Sequence, residues 1–380
     1  MSGKRSIFEE VSTDAKPAAA PQAGVAELAR ARARSAIALW LKVLFALVVV
    51  MIAVGGLTRL TDSGLSITEW RPLTGALPPL SAEAWQIEFD KYRLIPEYQI
   101  QNRGMTLAEF KVIYWWEWGH RQLGRVIGLV WAAGFFWFLL RRQIPTGWTP
   151  RLLALGLLGG LQGAIGWWMV SSGLTGTMLD VASYRLATHQ GLAFAILGLI
   201  AWYVFQQSRS EVELLQARRA REGGLMTFTA VFIPLLFAQI LMGALVAGID
   251  AGRTYTDWPL MAGQFFPSAA FDLEPWLSNF FENAGLVQFN HRMLAYLVFA
   301  VGILLWLRAR RSVSSQVRLK FGWMMLALVL QVVLGIVTVL YVAWWPLALA
   351  HQFLAVVLFT LALRARFEAG YPVQDRISAA

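Results

Sequence analysis

Eight apolar stretches in this chain are each long enough to cross a bilayer, near residues 38–58, 115–140, 152–171, 185–207, 226–248, 286–307, 321–343 and 346–363. A hydrocarbon core of about 30 Å takes roughly 20 helical residues. Backbone polar groups find no water there, so only helices and closed barrels span, and uninterrupted apolar runs of this length select helices. With 57% hydrophobic residues and only 15% charged, an ordinary soluble domain is excluded. The expected fold class is an all-α polytopic membrane protein with eight transmembrane helices.

Charge sets the expected orientation. The N-terminus, the loops near 141–151, 208–224 and 308–320, and the tail from 364 carry 21 Lys and Arg against 9 Asp and Glu. By the positive-inside rule these segments, and both termini, face the cytoplasm. The net charge of +10 is then a topology signal, met by membrane lipid, and no nucleic-acid partner is needed to explain it.

The first 35 residues read as a cytoplasmic extension: Ala18, Ala19 and Ala20 lie between Pro17 and Pro21, followed by Ala-Arg repeats from Ala29 to Arg34. They hold no short apolar core with a cleavage site, and Glu9, Glu10 and Asp14 argue against an organelle transit peptide. The expectation is a disordered stretch leading into a basic surface helix. With no cysteine in the chain, disulfides and thiolate ligands are ruled out.

The chain repeats itself. Residues 55–70, GGLTRLTDSGLSITEW, align without a gap on 243–258, GALVAGIDAGRTYTDW, with Gly55/Gly243, Leu57/Leu245, Asp62/Asp250, Gly64/Gly252, Thr68/Thr256 and Trp70/Trp258 identical. Gln162 with Gly166, Gln331 with Gly335 and Gln239 with Gly243 share a second spacing, which reads as interhelical packing and hydrogen bonding. Four helices return the chain to its starting side, so the repeat is parallel and predicts two tandem pseudo-symmetric four-helix bundles. The expected divisions are 36–210 for the N-terminal bundle, 211–225 for a cytoplasmic linker, 226–366 for the C-terminal bundle and 367–380 for a cytoplasmic tail.

All four histidines, His120, His189, His291 and His351, stand near the start of the second, fourth, sixth and eighth stretches. These helices begin outside, so at about 1.5 Å per residue the histidines lie about 5 to 8 Å into the outer leaflet. Ionisable side chains are rare inside membranes and tend to mark function, and four in register across a repeat are hard to reconcile with incidental interfacial residues. Without cysteine, and with a carboxylate near only one of them, a structural zinc is poorly supported. Two imidazoles from facing helices with an arginine beside one suit a haem, whose iron takes axial histidine and whose propionates attract a cation. The natural pairs are His120 with His189 and His291 with His351.

The copies differ at one informative place. Glu117 lies three residues before His120, on the same helix face, where Gln288 precedes His291. A carboxylate can hold or pass a proton and an amide cannot, which places chemistry in the N-terminal copy and a structural or electron-transferring haem in the other. Glu117 also stands at ion-pair spacing from Arg121.

The GGLTRLTDSGLSITEW and EWGHRQLGR segments, with the four histidines, resemble the heme A synthase family over roughly residues 38–365. These membrane enzymes make the haem of cytochrome aa3-type oxidases. The chain is similar to the alphaproteobacterial and mitochondrial branch, where the outer-loop cysteine pair of Gram-positive members is not expected. The resemblance implies oxidation of a ring methyl of heme O, through an alcohol, to the formyl group of heme A. It implies that His120 and His189 bracket the substrate haem as axial ligands, that Glu117 serves the chemistry, and that His291 and His351 ligate a heme b.

Arg121 and Arg292 are candidate propionate or Glu117 partners, with a structural ion pair or interfacial anchor equally open. Heme O and heme A are the small-molecule partners, pathway logic adds heme O synthase, and an unidentified electron donor is required. A homo-oligomer stays open, since small-residue helix faces serve internal packing as readily as self-association. The outer loop near 60–112 is expected to cap the N-terminal bundle, with Trp70, Trp115, Trp116 and Trp118 in an interfacial aromatic belt and Asp62 and Asp250 capping loops. The competing reading is a dihaem membrane electron carrier or a haem-binding assembly factor without turnover. A conductor across the membrane would carry haems toward both faces, whereas all four histidines here lie toward one.

Overall fold

The computed structural model describes residues 21–176 and 178–373. In chain order the α-helices are α1 (Pro21–Leu60), α2 (Ala82–Tyr92), α3 (Leu107–Leu140), α4 (Thr149–Val170), α5 (Ser183–Gln207), α6 (Glu211–Arg219), α7 (Gly223–Gly248), α8 (Asn279–Glu282), α9 (Ala284–Ala309), α10 (Ser315–Leu340) and α11 (Trp345–Gly370). Among the described residues eight of these, α1, α3, α4, α5, α7, α9, α10 and α11, are long and apolar enough to cross a membrane. No strand is present among them.

Local chemistry sets several ends. Thr106 caps α3 and Glu109 returns the bond, a reciprocal capping box, and Ser210 with Glu213 does the same for α6. Asn283 and Ser314 accept from Leu286 and Val317 at the starts of α9 and α10. Pro234 sits inside α7, a position that membrane helices tolerate because neighbouring groups satisfy the freed carbonyl.

Helix α1 begins earlier than hydropathy alone suggests. The Ala29–Arg34 stretch is part of it instead of forming a separate surface helix, and the expected boundary at residue 36 falls inside it. Alanine, leucine, arginine and glutamate are strong helix formers, and no glycine or proline intervenes between Gly24 and Gly55. The expected disorder of residues 1–20 lies outside the described residues, as does the tail beyond 373. The segment taken as a linker contains α6, and α11 runs to Gly370, past the boundary at 366. Glu368 explains that extension: it is 1% exposed and takes ion pairs from Arg209 at 2.9 Å and Arg364 at 3.2 Å.

One apolar core runs through all eight long helices, with Leu41, Phe135, Leu152, Phe194, Phe232 and Phe321 among its members. Helix α1 packs on α3 and α5, and α4 on both α3 and α5; α7 packs on α9 and α11, and α10 on both α9 and α11. The two groups meet where α5 packs on α7 and α11 and where α1 packs on α11. At that seam Phe194 meets Phe359 edge-on at 5.8 Å, and Gly198 leaves room for the Phe359 ring.

The segment between α1 and α3 has its own core. Leu65, Ile67, Trp85, Phe89, Tyr92 and Phe110 bury against Tyr114, Val170 and Val181. This cap packs against the N-terminal end of α3 and the C-terminal end of α4. Trp70 stacks on Trp167 at 6.2 Å while staying 53% exposed, and Trp115 and Trp116 are also largely exposed.

Candidate functional site

Each histidine faces a glycine on a neighbouring helix. A Cβ on Gly55 of α1 would lie 3.3 Å from His120 Nε2, and one on Gly166 of α4 would lie 2.9 Å from His189 Cε1. In the second half, a Cβ on Gly243 of α7 would lie 3.3 Å from His291 Cε1, and one on Gly335 of α10 would lie 3.0 Å from His351 Cε1. These are closer than real Cβ contacts normally come, so glycine is what lets each imidazole occupy its place.

Three of the four imidazoles are also gripped by an amide. Gln162 Nε2 donates to the His189 carbonyl at 3.0 Å and lies 3.2 Å from Nδ1 of the same residue. Gln239 treats His291 likewise at 3.1 and 3.0 Å, and Gln331 treats His351 at 3.1 and 3.3 Å. The Oε1 atoms of all three glutamines are buried without a hydrogen-bond partner among the described residues. The exception is His120. Methionine Met51 occupies the position that Gln239 holds in the repeat, 188 residues on.

Of the two pairs drawn from the sequence, His291 and His351 line one cavity. A cavity of about 320 Å³ opens in front of the second pair, lined by His291, His351, Gln239, Gln331, Arg292 and, from α1, Arg59. Its walls are chiefly apolar, which suits a macrocycle. Gly243 and Gly335 clear the space beside the two imidazoles. The residues present therefore fit a haem held between His291 and His351.

Glu117 is 2% exposed and fully engaged. Its Oε2 accepts from Ser66 Oγ and from the Ile67 backbone N–H, both at 2.7 Å, while its Oε1 accepts from Arg121 Nε at 3.0 Å and Nη2 at 2.5 Å. Arg121 also donates to the Glu69 and Ile67 carbonyls. In the second half Gln288 donates to the Ala251 and Tyr255 carbonyls and accepts from Arg292 Nη2 at 3.0 Å, while Arg292 donates to Tyr255 and Leu260. Ile67 and Tyr255 are the same position of the repeat. One architecture, a side chain and an arginine clamping the turn after the preceding helix, is thus built once with a carboxylate and once with an amide.

Asp62 and Asp250 both sit in the left-handed region, at φ 47° and 51°, where aspartate is tolerated. They do more than cap loops. Together with Asp180 they converge on Arg59, at 3.0 Å, 3.0 Å and 3.3 Å. Burial pushes the Asp180 carboxyl up, opposed by the charge of Arg59. In the cap, Glu97 is 3% exposed, accepts from Tyr92 Oη at 3.0 Å and Asn102 Nδ2 at 3.2 Å, and is pushed up to about 8 by burial.

The glycine clearances and the Ser66 and Ile67 donors were not anticipated from the sequence, although the recurring Gln-x-x-x-Gly spacing carried the signal for the first. Arg59 gave a signal too, since its repeat partner is Ala247.

Eight membrane-long helices, with a chiefly apolar cavity beside His291 and His351, define a polytopic helical membrane protein. The family model described as cytochrome oxidase assembly protein, COX15-CtaA, matches residues 38–363, and the chain belongs to that family. It is 66% identical to the heme A synthase of Dinoroseobacter shibae over 100% of both chains. It is 62% identical to that of Ruegeria pomeroyi, over 99% of this chain and 100% of the relative, and 59% identical to that of Paracoccus denitrificans, over 98% of each. These relatives and the eight apolar helices fit a multi-pass protein of a bacterial inner membrane.

Proposed function

We propose that this chain is a heme A synthase, which oxidises a ring methyl of heme O through an alcohol to the formyl group of heme A for cytochrome oxidase assembly. The observation that carries the reading is the recurrence of one device, histidine against glycine, at four matched places, with an acidic residue beside only one of them. The architecture is read as two tandem bundles, α1 with α3 to α5 and α7 with α9 to α11. The basic loops and both termini face the cytoplasm, and the histidines face the periplasmic side.

In the N-terminal bundle His120 and His189 hold the substrate haem. In the C-terminal bundle His291 and His351 hold a heme b, with Arg292 at its edge. When bound, that haem supplies one-electron redox chemistry, fed by an external donor. Gln239 and Gln331 orient its imidazoles, as outer-shell amides do for metal-bound histidine. Met51 leaves His120 without such a restraint, which suits a site whose occupant must enter and leave.

Glu117 presents a carboxylate three residues before His120, tied down by Ser66, Ile67 and Arg121. Because both oxygens are occupied, proton transfer would first require one donor to release. The tethered charge is better suited to stabilising positive charge that develops at the methyl carbon, a preorganised electrostatic role. Arg121 holds Glu117 and the turn after α1 in register.

Coexpression with a heme O supply in a host lacking heme A, followed by mass analysis of extracted haems, tests the reading. Heme A from the wild-type chain is expected. Bound heme b with no heme A under any donor condition would replace it with the electron-carrier or assembly reading.

A further inference from the structure

We propose that Arg59, at the end of α1, is a propionate-binding residue of the haem held by His291 and His351, so that the C-terminal haem site is completed by the N-terminal half. This rests on the haem reading above and goes beyond it, because Arg292 is the only cation that reading places at this haem.

Four charged side chains line the cavity in front of His291 and His351: Arg59, Arg253, Arg292 and Asp250. Two of the three arginines have an unused donor. The Nε atoms of Arg59 and Arg292 are both buried without a hydrogen-bond partner among the described residues. A buried donor left unpaired costs free energy, and both of these belong to side chains that line the cavity, which points to an anionic occupant. Arg253 is the weaker candidate, since its side chain is 50% exposed and lies 3.8 Å from Asp250.

Arg59 is also held where it is needed. Its Nη1 pairs with Asp62, and its Nη2 pairs with Asp180 and Asp250, carboxylates from three different segments. These aspartates are 40–45% exposed, whereas the Arg59 side chain is only 14% exposed. Water screens the acids more than the guanidinium, and with both Nη atoms paired Nε is the guanidinium nitrogen left without a partner. The repeat gives an independent indication. The equivalent of Arg59 is Ala247, so α7 supplies no such cation to its own bundle and α1 reaches across the seam to provide one. Gly56 on the same helix also meets the seam, where the Gln352 side chain occupies the space a Cβ would take and Gln352 Nε2 donates to the Ile52 carbonyl at 2.9 Å.

The test uses the full-length chain in detergent. It measures the rate at which haem b passes to excess apomyoglobin and the midpoint potential of the low-spin haem, for wild type, Arg59→Met and Asp180→Asn. Losing a charged donor should speed release about tenfold or more and lower the potential, because the ferric state loses a repelling cation. Asp180→Asn removes one of the three carboxylates paired with Arg59 but leaves the cation, and should release haem at close to the wild-type rate. A wild-type rate and potential for Arg59→Met would overturn the proposal, as would an equal effect of Asp180→Asn. Should Arg59→Met fail to assemble, Arg59→Lys keeps the charge but lacks Nε–H; faster release supports the proposal and a wild-type rate overturns it. If the wild-type chain holds no haem that His351→Met removes, the failure lies in the haem reading itself.

Discussion

Arg121 closes on Glu117 through two hydrogen bonds to Oε1, while Arg292 meets Gln288 through one at 3.0 Å. The same clamp on the same turn therefore exists in a charged and a neutral form within one chain. The neutral form shows that the equivalent turn in the second half is clamped by an amide.

By that precedent, Glu117→Gln is expected to fold and to keep its haem complement while losing heme A formation by about a hundredfold, the scale of removing a positioned electrostatic group. Mass analysis of extracted haems checks this, with heme O or its alcohol accumulating. Glu117→Ala should behave differently. It strips Arg121 of its counter-charge in a buried pair and should lower stability by about 3–5 kcal/mol, read from thermal unfolding in detergent.

Gly335 and Gly166 stand where a methyl group would press on His351 and His189. Gly335→Ala should displace the His351 imidazole and weaken haem b retention, seen as a reduced low-spin absorbance per chain. Gly166→Ala should instead leave haem b in place and reduce heme A formation. Gly163→Ala, with nothing within 4 Å of its Cβ, serves as the silent control.

Gln331→Leu removes the amide that orients His351 and should weaken haem b binding about 10- to 100-fold, in line with the loss of other outer-shell partners. Met51→Gln makes the opposite change. It gives His120 the restraint the other histidines have, and is expected to slow product release more than it alters substrate binding, read as heme A retained on the purified chain.

Glu97 makes stability depend on pH. Its folded carboxyl titrates near 8, above an unfolded value of 4.5, so the folded chain binds the extra proton. Its contribution is then complete below about pH 4.5 and is lost as pH rises through about 8. Wild type should melt at progressively lower temperature from pH 5 to pH 8.5, and Glu97→Gln should flatten that slope.

Much of this was legible from the chain because apolar length and repeat spacing are local signals. The helices carrying His120, His189, His291 and His351, and the turn shared by Asp62 and Asp250, follow from them directly. What was hidden depends on chain segments that meet only after folding. Asp180 and Asp250 lie 121 and 191 residues from Arg59, and nothing in their neighbourhoods announces a common partner. Glu117 was legible as a difference from Gln288, but its bond to the Ile67 N–H was not, since a backbone donor leaves no mark in sequence. The start of α1 was placed too late because a hydropathy window ends where arginines begin, whereas helix propensity does not.

The most direct measurement of the central claim is the haem content of two single variants supplied with heme O, His189→Met and His351→Met, each analysed for bound heme b and for heme A formed. His189→Met should retain heme b and form no heme A, while His351→Met should lose heme b. If His189→Met loses heme b, or His351→Met keeps it with unchanged absorbance, the assignment of one haem to each histidine pair is contradicted.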